Sequence, residues 1–233
     1  EQTRAFLADA AHELRTPLTG VEAAAETLLQ HRDQMSTEEQ EHLEALLVGE
    51  ARRAGRLVAD LLSLARLDAG PAPVHDLVDL RGMAEVEAGR ARLVWHGTTV
   101  SVRGDVDAVA GDAQALGGVL RNLLDNASRA SGPDGTVQVL LRVEGAAAVV
   151  DVVDDGPGVP AADRERVFER LVRLDAARSA DAGGSGLGLA IARETARAHG
   201  GDVVCLPVPP PRRGSNFRLS LPASESLRAP ARS

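Results

Sequence analysis

Apolar positions recur at helical spacing from residue 3 to residue 69. Leu7, Ala11, Leu14, Leu18, Val21, Ala25 and Leu28 alternate steps of four and three, which is a heptad seam. A polar stretch from His31 to Thr37 follows, in which Ser36 or Thr37 can cap a second helix. That helix carries Leu43, Leu47, Ala54, Val58, Leu61 and Ala65. Two such helices joined by a short turn cannot cover their own apolar faces. The simplest remedy is a second copy, giving a dimeric four-helix bundle; the alternative is a seam against the rest of the same chain.

The pattern changes beyond a Gly- and Pro-containing stretch with Gly70, Pro71 and Pro73, which predicts a linker over 70–79. Strand-like runs fall at 99–102, 136–143, 147–153, 202–206 and 216–221, with helical patterns at 80–91, 113–130 and 188–198. Helices segregated onto one sheet face predict an α+β two-layer sandwich over 80–222. Residues 1–69 form the helical hairpin, and 223–233, rich in Ser, Pro, Arg and Ala, predict a disordered tail.

Composition narrows the chemistry. With 2% aromatics and no Tyr, the cores must be built from Leu, Val and Ala. A net charge of −8 argues against nucleic acid as a partner. Cys205 stands alone, so an internal disulfide and a cysteine zinc site are excluded, and it is expected as a packed strand residue. All 26 basic residues are Arg. Without Lys there is no Walker A loop and no Schiff-base chemistry, so a nucleotide site must hold its phosphates another way. No apolar run reaches the ~20 residues that cross a bilayer. The chain opens inside a helical pattern, which predicts a missing upstream region.

One histidine stands out. With Leu7 and Leu14 at heptad position d, His12 falls at b, outside the seam and exposed. Thr16 lies one turn further on the same side, and Glu13 adjoins it. A carboxylate beside an exposed imidazole can draw the proton from one ring nitrogen and leave the other free to attack phosphorus. Pro17 removes a helical hydrogen bond one turn later, at a cost of ~3 kcal/mol in an ordinary helix. His31, His42, His75, His96 and His199 are expected as ordinary solvated side chains.

The run from Phe6 to Leu18, FLADAAHELRTPL, closely resembles the phosphoacceptor box of two-component sensor histidine kinases, with Ala11 where Ser is common. The resemblance implies that His12 is autophosphorylated, that Glu13 acts as base, and that Thr16 helps position water for dephosphorylating the partner. Four further segments resemble that family's ATP-binding domain, in order. In LRNLLDNASR, from Leu120 to Arg129, Asn122 and Asn126 share a helix face, with Leu120, Leu123, Leu124 and Ala127 opposite. The resemblance assigns Mg²⁺ to Asn126, places Asn122 nearby and sets Arg129 where a phosphate-binding Lys is usual. Ala130 replaces a frequent aromatic or His.

In VVDDGPGVP, from Val152 to Pro160, an apolar strand ends in a carboxylate and the glycines Gly156 and Gly158. By resemblance Asp154 accepts the adenine amino group, and Asp155 is expected solvated. Phe168 keeps a third box, Leu171 and Val172 replace its usual aromatics, and Arg173 takes its phosphate-side cation, with Arg170 and Arg178 nearby as alternatives. Gly184, Gly186, Leu187 and Gly188, in GGSGLGL, open a helix whose N–H groups suit phosphate. Residues 174–182 are then a lid, and Gly214 to Phe217 is either a third glycine turn or a strand entry.

The expected protein is therefore a helical hairpin followed by a Bergerat ATP-binding fold, binding ATP and Mg²⁺. It would act as a homodimer, passing a phosphoryl group from His12 to a cognate response regulator on the cytoplasmic side of the cell membrane. Two rivals stand beside this: a dimeric scaffold acting mainly as a phosphatase, and another ATPase of the same nucleotide fold.

Overall fold

The structure, a computed structural model, describes residues 2–68, 76–106, 108–172, 185–209 and 212–223. Two long helices form the N-terminal hairpin, α1 (Gln2–His31) and α2 (Thr37–Asp68), joined through a 3₁₀ turn at Arg32–Gln34. Ser36 is the cap. Its N–H and Oγ donate to Glu39 Oε2 at 2.8 and 2.9 Å, and the Glu39 N–H donates back to Ser36 Oγ at 3.3 Å, a capping box.

The seam inside the hairpin is displaced from the expected one. Ala10, Pro17 and Ala24 are buried, with Leu14, Val21 and Leu28 half-buried between them. Ala11 and Leu18, expected in that seam, are exposed, Leu18 at 50%. Small side chains at 10 and 24 and the compact Pro17 ring let α2 approach closely, which leaves the bulkier Leu18 outside. On α2, Leu57 and Leu64 are buried while Val58 and Leu62 remain open at 45% and 56%. Leu7 lies outside the described side chains.

The second unit contains α3 (Leu80–Val94), α4 (Ala113–Ser131) and α5 (Gly188–Ala198). They cover one face of a five-stranded sheet ordered β2-β4-β5-β7-β6. Its strands are β2 (Thr99–Gly104), β4 (Thr136–Glu144), β5 (Ala147–Asp154), β6 (Asp202–Leu206) and β7 (Asn216–Pro222). β2 runs parallel to β4, and the other pairs are antiparallel. The register sets Asp154, at the end of β5, against Val137. A small ribbon, β1 (Asp76–Val78) with β3 (Val109–Gly111), was not visible in the pattern; β1 takes up three positions of the expected linker. Residues 69–75 and the expected tail from 224 onward lie outside the described residues.

The core is aliphatic, as the composition requires. Leu120, Leu123, Leu124 and Ala127 of α4 lie fully buried against Val137, Val139, Val150 and Val152 of the sheet. Phe168 and Phe217 join it, edge to face with centroids 6.1 Å apart, and the half-buried Trp95 packs against it. Cys205 on β6 is buried as expected, and burial pushes its thiol up to about 11, so it is unreactive near neutral pH. His199 departs from the solvated reading. Its Nδ1–H donates to the Thr195 carbonyl at 2.7 Å and its Nε2 accepts the Asp112 N–H at 3.1 Å, so it ties the end of α5 to the start of α4.

Leu120→Ala should destabilise the chain by about 2–5 kcal/mol in denaturant unfolding, the range for emptying a fully packed site. Leu93→Ala, at a position 76% exposed, should cost under about 0.5 kcal/mol. Equal losses at both positions would contradict the packing described.

Candidate phosphoacceptor and nucleotide site

His12 is exposed on α1, as the heptad count predicted. Glu13 beside it is half-buried and faces Arg53 of α2 at 4.0 Å. The Thr16 hydroxyl donates back to the His12 carbonyl at 3.4 Å, the bond open to a hydroxyl one turn further along a helix. Pro17 sits inside the continuous helix and is buried.

Asp154, Gly156 and Gly158, three of the residues singled out by the resemblance, lie where β5 ends. Asp154 is 2% exposed. Its Oδ1 accepts two backbone N–H groups, Gly156 at 3.0 Å and Ser215 at 3.1 Å. The Asp154 N–H in turn donates to the Ser215 carbonyl at 3.0 Å. Its Oδ2 is buried with no partner among the described residues. A buried acceptor without a donor costs about 1–3 kcal/mol, so this atom awaits one. Burial raises the Asp154 carboxyl above its ordinary value, while the Ser215 and Gly156 N–H groups pull it back.

Glycines make the surrounding turns possible. Gly214 has φ +114°, and a Cβ there would lie 1.7 Å from the Asp154 carbonyl oxygen. Gly158 has φ +80°, and a Cβ on it would meet the Gly214 carbonyl at 2.8 Å. The segment 214–217 is thus both a glycine turn and the entry to β7. Ser215 is a site residue that the sequence reading passed over, since its contribution is a backbone N–H, which any residue type carries. Asp155 is exposed as expected, and its Oδ2 accepts the Thr136 N–H at 2.9 Å.

Asn122 and Asn126 are half-buried on α4, opposite its apolar face. Asn122 faces the start of α5: a Cβ on Gly188 would come within 3.4 Å of its Oδ1. The helix that carries Asn122 and Asn126 therefore meets the glycine segment that opens α5. Arg129 lies over the Trp95 ring, 5.3 Å from its centroid, and the indole Nε1–H donates to Asp125 at 2.9 Å. The Leu171 N–H donates to the Gly186 carbonyl at 3.0 Å, both residues having positive φ. Arg173 and Gly184, together with the lid at 174–182, lie outside the described residues.

The residues present suit an adenine nucleotide. A buried acceptor without a partner among the described residues could take an adenine amino group, and a helix opening at Gly188 offers N–H groups that suit phosphate without Lys. Among the described residues no group of three or more His, Cys, Asp or Glu could hold a metal ion. A cation here would depend on an amide such as Asn126 and on the nucleotide's own oxygens.

Two family models match, the His Kinase A (phospho-acceptor) domain over residues 2–70 and the histidine kinase-, DNA gyrase B- and HSP90-like ATPase over 111–225. Sensor protein SphS of Synechococcus elongatus is 40% identical over 97% of this chain and 56% of its own length. The histidine-protein kinase/phosphatase MprB of Mycolicibacterium smegmatis is 39% identical over 86% of this chain and 41% of its own. A solved mycobacterial MprB structure is 33% identical, with TM-score 0.57, over 64% of this chain and 97% of that one. Full-length ShkA in complex with AMPPNP is 28% identical, with TM-score 0.65, over 96% of this chain and 47% of that one. Fold, site and likeness agree: the chain belongs to the two-component sensor histidine kinases. It spans about half the length of the curated relatives it matches.

In Asp154→Asn the amide oxygen can still accept the Gly156 and Ser215 N–H groups, while an N–H replaces the free Oδ2. The Asp154 value is raised above the ordinary 3.8, so its contribution to stability is full below 3.8 and is lost as pH rises through the folded value. The variant should therefore unfold at a higher temperature than the parent at pH 7, with the gap closing as pH falls toward 3.8. Its affinity for an ATP analogue should drop about tenfold or more, because two donors then face each other. A variant less stable than the parent at pH 7 would contradict the burial argument.

Proposed function

We propose that this chain is a histidine kinase core that phosphorylates His12 from Mg²⁺-ATP and passes the phosphoryl group to an Asp of a cognate response regulator. The observation that carries this reading is the partnerless, buried Asp154 Oδ2 in the same chain as an exposed helical His12. Asp154 Oδ2 accepts the adenine amino group. Gly156 and Gly158 let the backbone close on the ring, and Gly184, Gly186, Leu187 and Gly188 present backbone N–H groups to the phosphates. Asn126, with Asn122 beside it, ligates Mg²⁺. Arg129 and Arg173 offset phosphate charge.

Glu13 takes the proton from one His12 ring nitrogen as the other nitrogen attacks the γ-phosphorus. An N–P bond forms, the bond from phosphorus to the bridging oxygen breaks, and ADP leaves with that electron pair. Catalysis is mainly positioning and charge neutralisation. In transfer, the P–N bond breaks as a carboxylate oxygen of the regulator attacks.

Thr16 serves the reverse duty, orienting water against the phosphorylated regulator; its hydroxyl has to leave the His12 carbonyl to do so. The name kinase/phosphatase borne by MprB supports this second activity. The open Leu18, Val58 and Leu62 support a homodimeric four-helix bundle. Among the described residues no helix is long and apolar enough to cross a membrane. A membrane link would run through an upstream region, with this core on the cytoplasmic side.

His12→Gln should abolish incorporation of label from ATP carrying a radiolabelled γ-phosphate, and the parent's product should be acid-labile. Glu13→Gln should slow incorporation about 10²–10⁴-fold with nucleotide affinity unchanged. Label on His12→Gln would sink the assignment, and nucleotide binding without phosphoprotein in the parent would favour the scaffold reading.

A further inference from the structure

The hairpin touches the nucleotide unit at the phosphate loop. Leu57 and Leu64 of α2 bury against Leu187 and Ile191 at the start of α5, with Leu14, Leu61 and Leu171 packed around them. At the edge of this apolar contact Ser185 Oγ donates to Asp60 Oδ2 of α2 at 2.7 Å. The same Oγ accepts the Leu187 N–H at 3.2 Å. Burial raises the Asp60 carboxyl above its ordinary value, against the opposing pull of Ser185 and Arg56. Asp60 thus gives up part of its solvation to hold a serine beside Gly186, just before α5.

We propose that Asp60 is a positioning residue of the nucleotide site, setting ATP affinity through Ser185 and thereby coupling nucleotide binding to docking of the hairpin. This rests on the assignment of the Gly184–Gly188 loop to phosphate made above. In the docked arrangement Ser185 is used twice: its proton points to Asp60, and its oxygen takes an N–H at the positive end of α5. That N–H belongs to the set a phosphate would use. The Asp60 carboxylate also brings a negative charge to the loop that must receive a triphosphate. Nucleotide binding therefore works against the Asp60–Ser185 bond, and by linkage nucleotide weakens docking by the factor by which docking weakens nucleotide.

The test is a double-mutant cycle on the whole chain, using AMPPNP with Mg²⁺ as probe. Asp60→Ala should bind AMPPNP about five- to tenfold more tightly than the parent, the lower end of usual coupling factors. Asp60→Asn, which keeps an acceptor and loses the charge, should fall between them. In a Ser185→Ala background, Asp60→Ala should have a clearly smaller effect than in the parent, leaving only the through-space effect of the charge. Hydrogen exchange around Leu57 to Leu64 should quicken in the parent when AMPPNP is added, and should already be quick in Asp60→Ala without it. Unchanged affinity in Asp60→Ala, or an undiminished effect in the Ser185→Ala background, would overturn the proposal while leaving the kinase assignment intact. A parent chain that binds no AMPPNP would instead overturn the nucleotide assignment itself, and this proposal with it.

Discussion

A single carboxylate organises the nucleotide unit. Asp154 has one oxygen satisfied by two backbone N–H groups and the other buried and unmet. Meeting the first need forces residues 156 and 215 to approach from different directions, which only turns through Gly158 and Gly214 allow at these distances. Those turns fix where β5 ends and β7 begins. The second need is an unpaid cost in the empty protein, and a ligand that supplies a donor relieves it. The course of both turns thus follows from the same side chain.

Much of this was legible in the sequence because period and side-chain type carry it. The apolar face of α4 fixed its orientation, so Asn122 and Asn126 could be placed opposite the core before any coordinates. Gly158 and Gly186 were readable because glycine is the residue type that their positive φ favours. What was not legible rests on pairings remote in sequence. Ser185 meets Asp60 across 125 positions, and His199 meets Asp112 across 87. No local period announces either. The ribbon β1–β3 was missed for a related reason: two strands of three residues are too short to show alternation.

The hairpin shows a different limit. A heptad pattern says that an apolar stripe needs covering, but not which of its positions face the other helix of the hairpin. Residue size separates them. Ala10, Pro17 and Ala24 turn toward α2, where close approach favours small groups, and Leu18 turns away. Charge is arranged with similar economy in a chain lacking Lys: Glu87, 5% exposed, is held by both Arg90 and Arg121, while Asp151 lies between Arg142 and Arg218 on the outer sheet face. Guanidinium forks can serve a buried carboxylate from two sides at once.

Trp95 is the chain's one tryptophan, and there is no tyrosine to mask it. Its ring lies beneath Arg129 and its N–H is tied to Asp125, both on the helix that carries Asn122 and Asn126. The protein therefore holds a built-in optical probe at the flank of its own pocket. A cation stacked on the ring is an arrangement to which indole emission responds, so movement of Arg129 should register as light from the unlabelled molecule.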